Sequence, residues 1–306
     1  MTQGASTNQV RKVAHEGTSI APPAHAGGVS ATAFNDLDSS RRTNRISVLI
    51  PSYNSAPFLR QALASVVDQA PSPHEVLVQD GGSTDDTLDI LRSFGERVSW
   101  VSTPDDGQSD ALNRALERST GDAVLWLNAD DELLPGAIAA ASSAFASDPD
   151  LTFAYGDFDI IDSTGARIRT YRSSPYSWER VFARGCYIFS GSLFIRRQVL
   201  VEMGGFETSL SACMDLDLLL RLGTTGRSMH VGQTVGQYRM HGDTKSSTMG
   251  LAFLREGLRV RLRHSGGSPR LWLMALRATV WSALMRSTYR LRYSPLWPRH
   301  GRGKTL

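Results

Sequence analysis

The chain has 306 residues of ordinary hydrophobic and charged content and only two cysteines, Cys186 and Cys213. That length suits one large domain or one domain with appendages, and so few cysteines argue against a disulfide framework or a zinc site; two buried free thiols in a reducing compartment are expected. Residues 251–306 hold 12 Lys/Arg against one acid, so a net charge of only +3 conceals a basic tail on an acidic body.

Residues 1–44 are rich in Ala, Ser, Thr, Gly and Pro without apolar periodicity, which reads as a disordered leader that lacks the apolar run of a secretory signal. Ile46–Pro51 reads as a strand, Ser52–Ser55 as a turn, and Phe58, Leu59, Ala62, Leu63, Val66 and Val67 predict a helix over 56–69. The unit then repeats. Glu75–Asp80 is a strand ending in an acid, Gly81-Gly82 turns the chain, and Ser83 with Asp86 predicts a capping box for a helix over 85–94. A strand over 98–101, the polar loop Pro104–Ser109, a helix over 110–118 and the apolar strand Ala123–Leu127 follow. Four strands alternating with helices call for a parallel, helix-covered sheet.

The fourth strand runs into Asn128-Ala129-Asp130-Asp131, and Pro135 is placed to open an alanine-rich helix. Taken alone, the stretch admits two readings: a solvated turn with an N-cap aspartate, or hard oxygen ligands for Mg²⁺ or Mn²⁺ at the strand end where open α/β sheets bind ligands. Asp80, Asp105/Asp106 and Asp130/Asp131 all fall where strands end, which favours a site.

Beyond residue 147 the pattern changes. A hairpin is predicted over 151–161 and 168–171, a short helix over 178–183, a strand over 187–195 and a helix over 198–203. The small residues Ser190-Gly191-Ser192 are read as letting a ligand approach the backbone. Cys213–Gly223 is a leucine-rich, buried helix with acids in its first turn, which is costly unless they are paired or used. Asp217 has Arg221 at i+4. Asp215 has no such partner and sits where the helix dipole favours the carboxylate, so it is preferred as the working acid over simple capping. Val235–His241 reads as a strand, with Arg239 and His241 suited to a phosphate contact.

The tail carries an apolar stretch, Leu271–Met285, with Trp272, Trp281, Arg277 and Arg286. It is too short and too charged to span a bilayer. Charge alone admits lipid or nucleic acid as partner, but tryptophans at headgroup depth and arginines on anionic lipid favour a membrane surface over nucleic acid. The alternatives are a helix packed on the body and a dimer contact. Phosphate loops of the P-loop or dinucleotide type, HExxH and GxSxG are all missing from the sequence.

Six motifs in order resemble the family 2 glycosyltransferases of the GT-A fold: Pro51-Ser52-Tyr53-Asn54, Gln79–Thr87, Gly107–Asn113, Leu127–Asp131, Met214–Leu218 and Tyr238–His241. Together they span residues 46–248. The resemblance implies an α/β domain over 45–248, Rossmann-like and mostly parallel, with a nucleotide-binding half at 45–131 and an acceptor half at 132–248. A basic amphipathic helical tail over 249–306 lies outside it. It further implies inverting transfer of a sugar from a nucleotide-sugar donor to a glycan or lipid-linked acceptor, with Mg²⁺ or Mn²⁺, in cell-surface polysaccharide synthesis. The implied location is cytoplasmic, on the inner face of the membrane, with no nucleic-acid partner. Carried over by residue, Pro51, Tyr53 and Asn54 form the nucleobase end, Asp80 accepts from the base, and Asp110 and Asn113 lie near the nucleotide. Asp130 binds the metal with Asp131 secondary, Asn128 accepts from a ribose hydroxyl, Asp215 is the general base, and Arg239 and His241 reach the diphosphate. Two positions depart from the pattern: Asn128 replaces the first acid of DxD, and Met214 the acid often found before the base.

Two rivals follow from the residues. A sugar-phosphate nucleotidyltransferase would carry a glycine-rich basic loop after the first strand, whereas Ser52–Ser55 is followed by no base until Arg60. A non-catalytic, membrane-associated relative draws support only from Asn128 and Met214.

Overall fold

The computed structural model describes residues 45–242 and 250–292, with side chains to residue 284. The leader expected over 1–44 and the end of the tail lie outside the described residues.

Among the described residues nine strands form one sheet in the order β3-β2-β1-β4-β8-β6-β9-β5, with β7 paired to the last residues of β6, beyond the stretch that pairs with β8. They are β1 (Ile46–Ser52), β2 (Glu75–Asp80), β3 (Ser99–Ser102), β4 (Ala123–Trp126), β5 (Glu132–Leu133), β6 (Leu151–Ile161), β7 (Arg167–Tyr171), β8 (Leu193–Arg196) and β9 (Arg227–Arg239). The first four are parallel, joined through α1 (Ala56–Val67), α2 (Thr87–Ser93) and α3 (Gln108–Arg118). β8 then pairs antiparallel with both β4 and β6, and β9 returns parallel to β6. The sheet is therefore continuous from the first half of the chain into the second.

β1 is buried at every position because helices cover both faces of a parallel sheet. Its side chains alternate between two cores. Val48 and Ile50 pack with Leu59 and Leu63 of α1 and Phe145 of α4 (Ala137–Ser147). Leu49 packs on the other face with Leu112 of α3, Phe182 of α5 (Trp178–Arg184) and Leu218 of α7 (Met214–Leu222). A short α6 (Arg197–Glu202) follows β8. Val260 of α8 (Gly250–Arg263) and Ala275 of α9 (Pro269–Arg292) join the second core, so the inner faces of the tail helices are packed on the body.

Four local expectations change. α2 starts at Thr87 without a capping box, because Ser83 donates its hydroxyl to Asp80 instead. α4 starts at Ala137 after a left-handed Gly136 (φ 85°), since β5 intervenes to pair with β9 before the helix begins. Ser190–Ser192 is a 3₁₀ turn rather than strand, and Gly191 is small for packing: a Cβ there would stand 2.6 Å from the Phe189 ring. β9 begins at Arg227, well before the predicted 235, because its exposed first half is too polar to read as a strand.

Candidate active site

A cavity of about 1020 Å³ opens at the carboxyl ends of the parallel strands. One wall comes from the turns after β1, β2 and β4, through Pro51–Ser55, Gly81 and Asn128–Asp130. The facing wall is aromatic, with Phe158, Tyr171, Phe189 and Tyr238, and ends at Met214 and Asp215.

At the first end Tyr53 is 64% exposed, its ring free to cover a planar ligand. Asn54 holds the turn in a left-handed conformation (φ 48°), donating its N–H to Ser83 Oγ at 2.7 Å and accepting from the Thr84 N–H at 2.9 Å. Asp80 departs from its expected role. It is fully buried and accepts from the Gly82 N–H (3.1 Å), the Ser83 N–H (2.9 Å) and the Ser102 hydroxyl (2.7 Å) besides Ser83 Oγ, so it shapes the loop from behind the wall.

At the centre, Asp130 faces the cavity with its carboxylate about one-third exposed, and its Oδ2 lies 3.0 Å from His241 Nε2. His241 packs its ring on Phe58 at 4.8 Å. It reaches the cavity because β9 ends at Arg239 and the chain turns, so strand alternation does not carry through.

Asp131 points the other way. It is fully buried, taking the Arg239 N–H at 2.9 Å and Asn128 Nδ2 at 2.8 Å, which removes it from the metal-facing set expected above. Burial, with the Asp130 charge pushing the same way, raises its carboxyl well above the usual range. Asn128 lines the cavity, but its Oδ1 already accepts from Gln108 Nε2 (2.6 Å) and Trp126 Nε1 (2.8 Å), so both lone pairs are used and none is left for a ribose hydroxyl.

Arg239 is only 1% exposed and is a brace rather than a ligand contact. Its guanidinium donates to the Asp130 carbonyl (2.9 Å), the Asp162 carbonyl (3.2 Å) and Glu132, and lies over the Phe58 ring at 4.9 Å. Two further expected contacts move off the site. Asp110 pairs with Arg114 at 2.7 Å and accepts from the Asp106 N–H. Asn113 spends its amide on the backbone of Phe206, at 2.9 and 2.8 Å, tying α3 to the Gly204-Gly205 turn.

At the far end Asp215, in the first turn of α7, lines the cavity. Its Oδ1 accepts the Leu216 N–H at 2.8 Å and its carboxylate also meets the Cys186 thiol. Burial raises its pKa against these two hydrogen bonds, and the Glu256 charge adds to the rise. Asp217 is different. Although burial opposes it, a hydrogen bond from His264 and the charge of Arg221 (2.9 and 2.7 Å) hold it below the usual range, fully paired. Cys213 is the buried thiol expected; Cys186 is exposed, because it sits on the cavity wall.

Cys186 and Phe58 also line the cavity and the Glu256 charge acts on Asp215, none of which the sequence signals. Phe58 looked like any apolar position of an amphipathic helix, and Glu256 like one acid in a basic tail; nothing in their spacing signals the contacts they make.

The motif-bearing part of the chain also matches known proteins. Residues 47–204 match the model of glycosyl transferase family 2. Chondroitin synthase of Escherichia coli is 31% identical over 211 residues, which cover 67% of this chain and 30% of that protein. The chain thus spans under a third of that relative's length. Among solved structures, Staphylococcus aureus TarS 1–349 in complex with UDP-GlcNAc aligns with TM-score 0.60 at 17% identity, covering 82% of this chain and 74% of that one. The mannosyltransferase PcManGT from Pyrobaculum calidifontis, in complex with GDP-Man and Mn²⁺, aligns with TM-score 0.56 at 21% identity, covering 85% and 78%. At these identities the structures establish the shared GT-A fold. With the six motifs in order, the cavity at the strand ends and a family match over more than half its length, this chain belongs to glycosyl transferase family 2.

Proposed function

We propose that the chain is an inverting glycosyltransferase, moving a sugar from a nucleoside-diphosphate donor to an acceptor hydroxyl in the synthesis of a cell-surface polysaccharide. The observation that carries this reading is one cavity with two unlike carboxylates: Asp130 beside His241 on one wall, and Asp215 at the other end. Neighbouring structures hold UDP-GlcNAc or GDP-Man, which makes a nucleotide sugar the donor class to test.

The donor set fits a divalent cation held jointly with the donor. Among the described residues no group of three or more His, Cys, Asp or Glu side chains is arranged to hold a metal. Mg²⁺ and Mn²⁺ suit one or two carboxylates completed by substrate phosphates and water. Asp130 supplies the carboxylate, held by His241 and fixed through its carbonyl by Arg239; Asp131 and Asn128 are spent elsewhere. When bound, the cation stabilises charge on the departing diphosphate. Tyr53 and Pro51 cover the nucleobase. Asp215 takes the proton of the acceptor hydroxyl, and its raised pKa makes it a stronger base than an ordinary aspartate. Attack from the Asp215 side, opposite the diphosphate, inverts the anomeric carbon.

The test is a thermal-shift screen of the full chain against nucleoside diphosphates and nucleotide sugars, with and without Mn²⁺. Ligand at 100 times Kd stabilises by about 2.7 kcal/mol. Stabilisation that needs both nucleotide and cation, and is lost in Asp130→Asn, is the expected result; indifference to every nucleotide would overturn the proposal.

The acceptor is proposed to be a glycan or lipid-linked, reached at an anionic membrane surface. Trp272, Leu273, Leu276, Val280, Trp281 and Leu284 project from α9, each more than half exposed, while Arg255, Arg259, Arg270 and Arg277 are exposed beside them. No described helix is long and apolar enough to cross a membrane. Not every tail arginine is available, since Arg261 is buried and Arg263 pairs with Glu207 at 2.7 Å. Co-sedimentation with anionic vesicles that weakens with salt, and weakens again in Trp272→Ser/Trp281→Ser, is expected. Equal binding to neutral vesicles would refute it.

A further inference from the structure

Helix α7 bears the proposed base, yet its N-cap is Cys213, which makes no side-chain cap. Orphan N–H groups at a helix start need acceptors. The tail supplies one for the N-cap and for the two residues ahead of it. Glu256 of α8 accepts from three consecutive backbone N–H groups: Ser211 on Oε1 at 2.9 Å, and Ala212 and Cys213 on Oε2 at 2.7 and 2.9 Å. It is the only acid in residues 251–306.

The contact belongs to a larger clasp. One turn before Glu256, Phe253 accepts from Cys213 Sγ at 3.4 Å through its carbonyl and lines the cavity with its ring. One turn after it, the buried Arg261 guanidinium donates to the Phe182 carbonyl (2.6 Å) and the Gly257 carbonyl (3.0 Å), fastening α8 to α5. His264 closes the clasp on Asp217 at 2.9 Å. α8 thus holds the segment just ahead of α7 through Phe253 and Glu256 and holds α5 through Arg261, and His264, directly after α8, holds Asp217 of α7 itself.

We propose that Glu256 is a positioning residue for Asp215, fixing the backbone just ahead of it, so that α8 is a working part of the transfer site. The inference rests on Asp215 as the base. A carboxylate on backbone N–H groups makes strong, charge-assisted bonds and opposes the positive end of the helix dipole. The charge also bears on Asp215 itself. The side chains that bear on that carboxylate are the Cys186 thiol, the Arg261 guanidinium and Glu256, and of these Glu256 adds negative charge.

Glu256→Gln and Glu256→Asp in the full chain test this, read as kcat, donor KM and pH profile. Glu256→Gln keeps the shape, loses the charge and loosens the loop. Its kcat is expected to fall about 10- to 100-fold with donor KM and the Mn²⁺–nucleotide thermal shift unchanged, and its acidic limb moves to lower pH, because Asp215 ionises more readily without a negative neighbour. Glu256→Asp keeps the charge but not the reach: its kcat falls while its acidic limb stays closer to the wild-type position. A kcat and acidic limb identical to wild type in Glu256→Gln would overturn the proposal, as would an equal loss of kcat and nucleotide-dependent stabilisation. Asp215→Asn, run in parallel, separates the two readings. If it turns over normally the base assignment fails; if it is inactive while Glu256→Gln matches wild type, only the positioning role fails.

Discussion

The two ends of the cavity hold an aspartate by opposite means. Asp130 stands partly in solvent on a loop braced from behind: Arg239 grips its carbonyl, Asp131 grips the Arg239 N–H, and His241 meets its side chain. Asp215 sits in the first turn of a helix, half-buried at the cavity wall, with a thiol, one N–H and a nearby negative charge for company. Asp130 opens to the cavity with about one-third of its side chain exposed, as the proposed cation and phosphates require. Desolvation at Asp215 disfavours its charge, which is what the proposed role of proton acceptor needs. Identical side chains thus acquire different chemistry from the elements that carry them.

The largest expected effect breaks the Asp215 side of this contrast. Asp215→Asn should lower transfer by about 10²- to 10⁴-fold while leaving the nucleotide- and Mn²⁺-dependent thermal shift intact, whereas Asp130→Asn should abolish that shift. Donor turnover and thermal shift measured on both proteins would show the asymmetry; parallel losses would erase it.

Next comes the brace. Arg239→Met removes a buried cation from three acceptors and leaves Glu132 without it. Breaking a buried pair in this way costs about 3–5 kcal/mol, visible in urea unfolding, and the loosened Asp130 loop should weaken cation-dependent nucleotide binding as well. Full stability in the variant would show that the brace is dispensable.

A smaller effect is expected at Asn113. Asn113→Leu strands the Phe206 N–H and carbonyl and should cost about 1–3 kcal/mol without altering nucleotide binding, because the side chain faces the turn and not the cavity. A loss of nucleotide affinity at unchanged stability would return it to the donor site.

The smallest effect is a pH signature. Asp215 binds its proton more tightly folded than unfolded. Its contribution to stability is therefore fully present below the unfolded carboxylate pKa and declines as pH rises through the raised folded value. Asp215→Asn lacks this slope. The melting temperature of the variant should exceed that of wild type near pH 8 and converge with it in acid; a constant gap would show that burial leaves Asp215 unperturbed.

Much of the fold was legible. The alternation of apolar strands with amphipathic helices over residues 46–126 required a parallel sheet, and β1, α1, β2, α3 and β4 lie close to where their periodicity places them. Periodicity reports which face is buried, and burial in a covered sheet is a local property of the pattern. The polar start of β9 carries no such pattern, since only its pairing with β6 makes it a strand.

The site divides along the same line. The residues themselves established that acids fall at strand ends, that Asp217 would be spent on Arg221, and that Asp215 was the acid left over. Which acids face the cavity was decided only by tertiary structure. Asp80, Asp110 and Asp131 look as available as Asp130 until their donors are known, and those donors include Ser102, Arg114 and the Arg239 N–H. Glu256 lies 43 residues from the Cys213 N–H it accepts. A hydrogen bond across such a separation leaves no period in the chain; it exists only because α7 and α8 pack side by side, and that packing sets where the proposed base stands.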